Sequence, residues 1–85
     1  MQVTFSPKAK EDFDHWLLNN KSISRKIVAL IQAIIINPFE GIGKPEPLKH
    51  NLSGAWARRI NREHRLVYEI ADDTILILSA KGHYI

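Results

Sequence analysis

The stretch "WARRINREHRLVYEI", residues 56–70, decides how the chain folds. Trp56 and Ile60, then Leu66, Tyr68 and Ile70, alternate with charged or small residues, which is the period of half-buried strands and not of a helix. Asn61-Arg62-Glu63 lies between the two runs and has the composition of a turn, so they form an antiparallel hairpin. With the large apolar side chains directed at a covering layer, Arg59 and Arg65 share the opposite face. A turn centred on Arg62 sets these arginines nearly across from each other, where like charges are destabilising. An anion arriving between them would relieve that repulsion. The competing reading is that both simply project into water.

Outward from the hairpin, Ala71-Asp72-Asp73 turns into a run from Thr74 to Ala80 that is apolar on both faces and therefore belongs at a central position of the sheet. Lys81-Gly82-His83-Tyr84-Ile85 forms a tail. Upstream, Gln2–Phe5 reads as a short opening strand, and Ser6-Pro7 supplies a cap and a residue suited to the first helical position. Ala9, Phe13, Trp16 and Leu17 then form one apolar stripe that ends at Asn19-Asn20-Lys21. Ser22 is the expected cap of a second helix carrying Ile23, Ile27, Leu30, Ile31, Ile34 and Ile35, stopped by Asn37-Pro38. Residues 38–54 hold three prolines and three glycines and read as a structured loop. The order is β-α-α-β-β-β. The fold class is α+β: a two-helix hairpin on one face of a mainly antiparallel twisted sheet, with a polar open face opposite.

With 85 residues, the chain is expected to form one domain, residues 1–85. The absence of cysteine removes disulfides, thiolate catalysis and the usual structural zinc sites, and suits a reducing cytoplasm. The start, MQVTFSPKAKEDF, does not have the pattern of a secretion signal, and the apolar run at residues 27–36 is about half of what a bilayer crossing requires. A cytoplasmic protein without membrane association is the expectation.

Net charge is +3 and unevenly placed. From Lys44 to Arg65 there are six basic residues and two acids, a surplus of +4, whereas the remaining six basic and seven acidic residues sum to −1. Such polarisation points to a polyanionic partner. Inside this segment "KPEPLKHNL", residues 44–52, fixes Glu46 between two prolines in a basic neighbourhood. Pro45 and Pro47 restrict the backbone around it, so the carboxylate is preorganised. A loop salt bridge of small energetic weight is the other reading.

Metal-ligand spacing is absent from the four histidines: His15 lies in the first helix, His50 and His64 in the basic segment and His83 in the tail. GIGKPE looks like a phosphate loop only superficially, because proline follows the Gly-Lys pair. Ser53-Gly54 lacks the frame of a nucleophile elbow. A carboxylate, arginines, a histidine and a tyrosine remain, with neither a cofactor nor a metal indicated. That inventory suits cleavage of RNA by its own 2′-hydroxyl, in which a base removes the proton, cations stabilise the phosphorane and an acid protonates the leaving 5′-oxygen. DNA lacks the attacking group.

Three segments, "PFEGIGKPEPLKHNLSGAWARRI" at 38–60, "EHRLVY" at 63–68 and "HY" at 83–84, closely resemble the YoeB (Txe) toxins of the RelE superfamily of bacterial type II toxin–antitoxin systems. The likeness covers nearly the whole chain and is densest from Pro38 to Tyr68. It implies a RelE-like, microbial-ribonuclease-like fold and an mRNA interferase that cleaves message in the ribosomal A site. The resemblance makes Glu46 the general base, Arg65 the phosphate clamp and His83 the general acid, with Tyr84 positioning or stacking on a base. It adds Lys49 and Arg59 as RNA-binding cations, and Lys44, from the same basic neighbourhood, is expected to join them. The implied partners are a cognate antitoxin of YefM/Phd type, the ribosome and mRNA, with a homodimer as a further state. Two other classes compete: a toxin of the same fold that binds gyrase without cutting RNA, and a plain RNA-binding module using Trp56 and Tyr84 as stacking surfaces. Against the family pattern, Lys81 and Gly82 replace an arginine and an aromatic residue, and Ile85 is extra; Gly82 widens the backbone choices next to His83, which raises the question of weaker activity although the implied acid and base are both present.

Overall fold

Ser6 starts the first helix as its hydroxyl permits, accepting the Ala9 N–H at 3.1 Å and donating to the Leu78 carbonyl at 2.9 Å, so one side chain both caps the helix and ties it to the sheet. The structure, a computed structural model, describes residues 1–83. Strand β1 (Gln2–Phe5) leads into α1 (Pro7–Asn19) and α2 (Lys21–Ile36). The cap between the helices is Asn20, not Ser22: its N–H bonds to Trp16 O, ending α1, and its side chain accepts from Ile23 N, opening α2. The first task needs only a backbone N–H; the second uses asparagine's short amide oxygen.

Beyond α2 come β2 (Glu46–Pro47), a 3₁₀ turn at His50–Leu52, β3 (Trp56–Arg59), β4 (Arg65–Ala71) and β5 (Thr74–Ser79). Among the described residues they assemble into a five-stranded sheet of order β1-β5-β4-β3-β2, in which only the β1–β5 pairing is parallel. β5 is flanked on both sides, as its doubly apolar sequence requires. The short β2 is an addition to the sequence reading. Pro47 cannot donate to a ladder, and it is tolerated because β2 forms the edge of the sheet.

Ala9, Trp16, Ile27, Leu30 and Ile34 from the helices close over Ile60, Leu66, Tyr68, Ile75 and Ile77, with Trp56 packed at the margin against Phe39. Each fully buried aliphatic side chain contributes about 1.5–3 kcal/mol. The opposite face departs from the expected open polar surface. Leu48, Ala55, Ala57 and Val67 form a second buried cluster there, with Leu52 and Leu78 against it. The loop following β2 folds back over this half of the face, because Leu48 and Leu52 have no other apolar surface to cover. The register joins Val67 to Ser79 and Tyr68 to Ile77, leaving Leu78 without a rung in a bulge that directs extra twist into the end of β5.

Candidate active site

The expected hairpin forms, and Arg59 stands directly opposite Arg65 in its register. The Asn61 side chain builds the turn by accepting the N–H groups of Glu63 (2.9 Å) and His64 (2.8 Å). Glu46 pairs with Ala57, which pairs with Val67, so these three share a face, and Arg59 and Arg65, two residues further along their strands, lie on that same face. Gly43 O accepts the Arg59 N–H at 2.6 Å and Gly82 O accepts the Arg65 N–H at 3.0 Å. A row therefore runs Gly43, Arg59, Arg65, Gly82 across the sheet, next to the row that begins with Glu46. Strands lie about 4.8 Å apart, so Glu46 and Arg65 stand on strands separated by roughly 10 Å, a gap that their side chains can share with a ligand.

Lys44, adjacent to Gly43, has φ 51° and is exposed. It lines a cleft of about 540 Å³ with Lys26, Arg59, Arg62 and Arg65, and among the described residues no carboxylate lines that cleft. The structure thus gathers Lys44, Arg59 and Arg65 from the expected set. Lys49 is exposed at the start of the 3₁₀ turn, and neither it nor Glu46 is part of the cleft wall. Two cations of the cleft were not anticipated. Arg62 projects from the tip of the turn, and Lys26 arrives from α2, where nothing in the helical spacing separates it from an ordinary solvated lysine.

Arg65 is anchored before any ligand is considered. Its Nη1 donates to Asn61 O (2.8 Å), His64 O (3.2 Å) and Arg62 O (3.3 Å). Among the described residues, no partner is bonded to Nε or Nη2, and that edge of the guanidinium presents two parallel N–H groups. His83 is exposed, with Nε2 3.3 Å from Arg62 O. Tyr84, expected beside it, lies outside the described residues, as does Ile85.

Arg58, counted with the basic segment, proves not to belong to the surface. It is fully buried and donates from Nε to Tyr68 Oη (3.2 Å), from Nη1 to Ile42 O (3.1 Å), and from Nη2 to Asn37 O (2.6 Å) and Glu40 O (3.0 Å). Tyr68 Oη passes its own hydrogen to Pro38 O at 2.6 Å. Burial raises the Tyr68 phenol above its ordinary 10.0, with the Arg58 hydrogen bond and charge opposing that rise. The pair holds down the loop that delivers Gly43, Lys44 and Glu46. Gly43 leaves no latitude there: its φ is 84°, and an added Cβ would stand 2.8 Å from a Leu30 methyl and 3.2 Å from Arg59 O. No three metal-ligating side chains cluster among the described residues.

Residues 5–84 match the family described as YoeB-like toxin of bacterial type II toxin-antitoxin system. The chain belongs to the YoeB family. A toxin YoeB of Synechocystis is 52% identical over 99% of this chain and 98% of its own length. Among solved structures, a YoeB/ParE toxin from Agrobacterium tumefaciens superposes with a TM-score of 0.97 at 34% identity, covering 99% of this chain and all (100%) of that one. A chain of a YoeB–YefM complex from Staphylococcus aureus superposes at 0.91 with 52% identity, covering 99% and 98% of the two chains. The fold expected from the sequence, two helices on a mainly antiparallel sheet, is that of YoeB toxins. No described helix is long and apolar enough to cross a membrane.

Proposed function

We propose that this YoeB-family toxin is a cytoplasmic endoribonuclease that cuts mRNA in the ribosomal A site without a metal. The observation that supports it best is the pair of adjacent rows, in which Glu46, Arg59, Arg65 and the residue preceding His83 meet across one sheet face. Glu46 takes the proton from the 2′-hydroxyl, whose oxygen attacks the adjacent phosphorus. Arg65 receives the developing phosphorane charge on Nε–H and Nη2–H, with Arg59 and Lys44 beside it. The bond from phosphorus to the 5′-oxygen breaks as His83 protonates that oxygen, giving a 2′,3′-cyclic phosphate and a 5′-hydroxyl. Tyr84 orients a base, and Lys49 contacts the RNA backbone outside the cleft.

Expression with and without translation inhibitors, followed by mapping of message ends, tests this reading. Discrete cuts within codons of translated messages are expected; intact messages with damaged DNA would instead favour gyrase poisoning. Arg65→Lys should lower cleavage by roughly 10²–10³, because lysine keeps the charge but supplies neither the planar fork nor the anchoring to the turn carbonyls. Single-turnover rates near wild type would reduce Arg65 to a steering charge.

The partner proposed to restrain the toxin is a YefM-type antitoxin whose acidic side chains occupy the cleft. The cleft cations are partly or fully exposed, so antitoxin affinity should fall markedly as ionic strength rises. Titration calorimetry across a salt series checks this, and a constant affinity would count against an electrostatic lid.

A further inference from the structure

The ladder ends at Ser79, yet Ala80 and Gly82 beyond it are held by four hydrogen bonds, three of them to side chains. Asp12 Oδ2 accepts the Ala80 N–H at 2.9 Å, and Trp16 Nε1–H donates to Ala80 O at 2.9 Å. His64 Nδ1 accepts the Gly82 N–H at 2.8 Å, and Gly82 O takes the Arg65 N–H at 3.0 Å. The holders are themselves joined. The His64 ring packs edge-on against the Trp16 indole at 4.8 Å, and Lys8 bonds both oxygens of Asp12, at 2.6 and 2.8 Å. Asp12 is only 3% exposed, and a buried carboxylate is costly unless its oxygens are satisfied, as they are here. Chain ends usually fray unless tied down. In this protein a helix and the β3–β4 turn contribute three side chains to the segment immediately before His83.

We propose that His64 is a positioning residue which, with Asp12 and Trp16, clamps Ala80–Gly82 and so sets His83 beside Arg65. The inference rests on the reading of His83 as the general acid. Because Nδ1 accepts from Gly82, the ring proton of the neutral imidazole sits on Nε2. Gly82 completes the device: its φ is 83°, a conformation that side chains rarely adopt, and among the described residues other than its chain neighbours no heavy atom lies within 4 Å of where a Cβ would stand.

The clamp and the chemistry are tested separately on the full chain. In ¹⁵N-labelled protein, a scalar coupling across the hydrogen bond between the Gly82 nitrogen and His64 Nδ1 is expected, and its absence overturns the clamp whatever the activity. In single-turnover cleavage on programmed ribosomes, His64→Phe should lower the chemical rate by about 10²-fold, the scale of a small misplacement, while the half-saturating ribosome concentration stays unchanged. His64→Asn should restore a rate close to wild type, because the asparagine Oδ1 stands at the same bond separation from Cβ as Nδ1; His64→Gln should not. The double variant His64→Phe, His83→Gln should cleave no more slowly than His83→Gln alone. Full additivity of the two losses, or equal rates for the Asn and Gln variants, would overturn positioning through His83. Wild-type activity of His83→Gln would sink the general-acid reading and leave the coupling measurement to judge the clamp.

Discussion

Glu46→Gln and His83→Gln should each slow the chemical step by roughly 10²–10⁴ while ribosome binding persists. Both substitutions keep the size and much of the hydrogen-bonding capacity of the original side chain and remove its ability to exchange a proton at neutral pH. Binding persists because the cations lining the cleft, Lys26, Lys44, Arg59, Arg62 and Arg65, are untouched. Glu46 occupies an edge strand paired with β3, and His83 follows a glycine bonded to β4, so neither substitution disturbs a packed core. Single-turnover cleavage of programmed ribosomes, with binding measured in parallel, separates the two effects. A variant that cleaves at the wild-type rate would remove its residue from the mechanism. Loss of binding in step with cleavage would instead make that residue a contact and not a proton carrier.

Arg58→Met is the substitution expected to cost most in stability, about 3 kcal/mol or more from stranded hydrogen-bond acceptors, out of a total that for small domains is about 5–15 kcal/mol. Its fully buried guanidinium has the carbonyls of Asn37, Glu40 and Ile42 and the Tyr68 hydroxyl as partners, and none of these is a carboxylate. No buried side-chain polar atom among the described residues lacks a hydrogen bond. Methionine would strand three carbonyls, each at about 1–3 kcal/mol if water cannot reach it. Arg58→Lys should rescue little, since one ammonium cannot span the same fork. Denaturant titration checks both variants, and a midpoint unchanged from wild type would show that the loop is held by something else.

Alkaline pH probes the same contact. The Tyr68 phenol is raised by burial above 10.0, so the unfolded chain ionises first as pH climbs past that value. The resulting contribution is present below pH 10.0 and lost above it, and Tyr68→Phe should abolish that part of the alkaline destabilisation.

The difference between what could and could not be read from the sequence follows the chemistry of the partners. Alternation at Trp56, Ile60, Leu66, Tyr68 and Ile70 reports burial directly, and a turn at Asn61–Glu63 leaves little freedom in register, so the opposition of Arg59 and Arg65 was legible. The same alternation puts Arg58 on the inward row, but its partners are backbone carbonyls of the loop from Asn37 to Ile42, and a sequence does not display where carbonyls point. Lys26 and the clamp on Gly82 were hidden for a related reason: each depends on a helix or turn meeting a distant segment through a backbone or a cleft wall. The edge strand at Glu46 was obscured by the prolines that make Glu46 rigid. The second apolar cluster was missed because Leu48 and Leu52 stand among loop residues with no period to reveal their common face.

The most direct test of the central claim is the chemistry of the cut ends. Preassembled ribosomal complexes carrying an ordinary message, or one with a single 2′-deoxy nucleotide at the cleavage position, are mixed with the toxin under single-turnover conditions. The account predicts a 2′,3′-cyclic phosphate, or the 2′- or 3′-phosphate from its opening, with a 5′-hydroxyl on the ordinary message, and an intact 2′-deoxy message. A 5′-phosphate product, or cleavage of the 2′-deoxy message at the ordinary rate, would contradict attack by the RNA's own hydroxyl and require an activated water in its place.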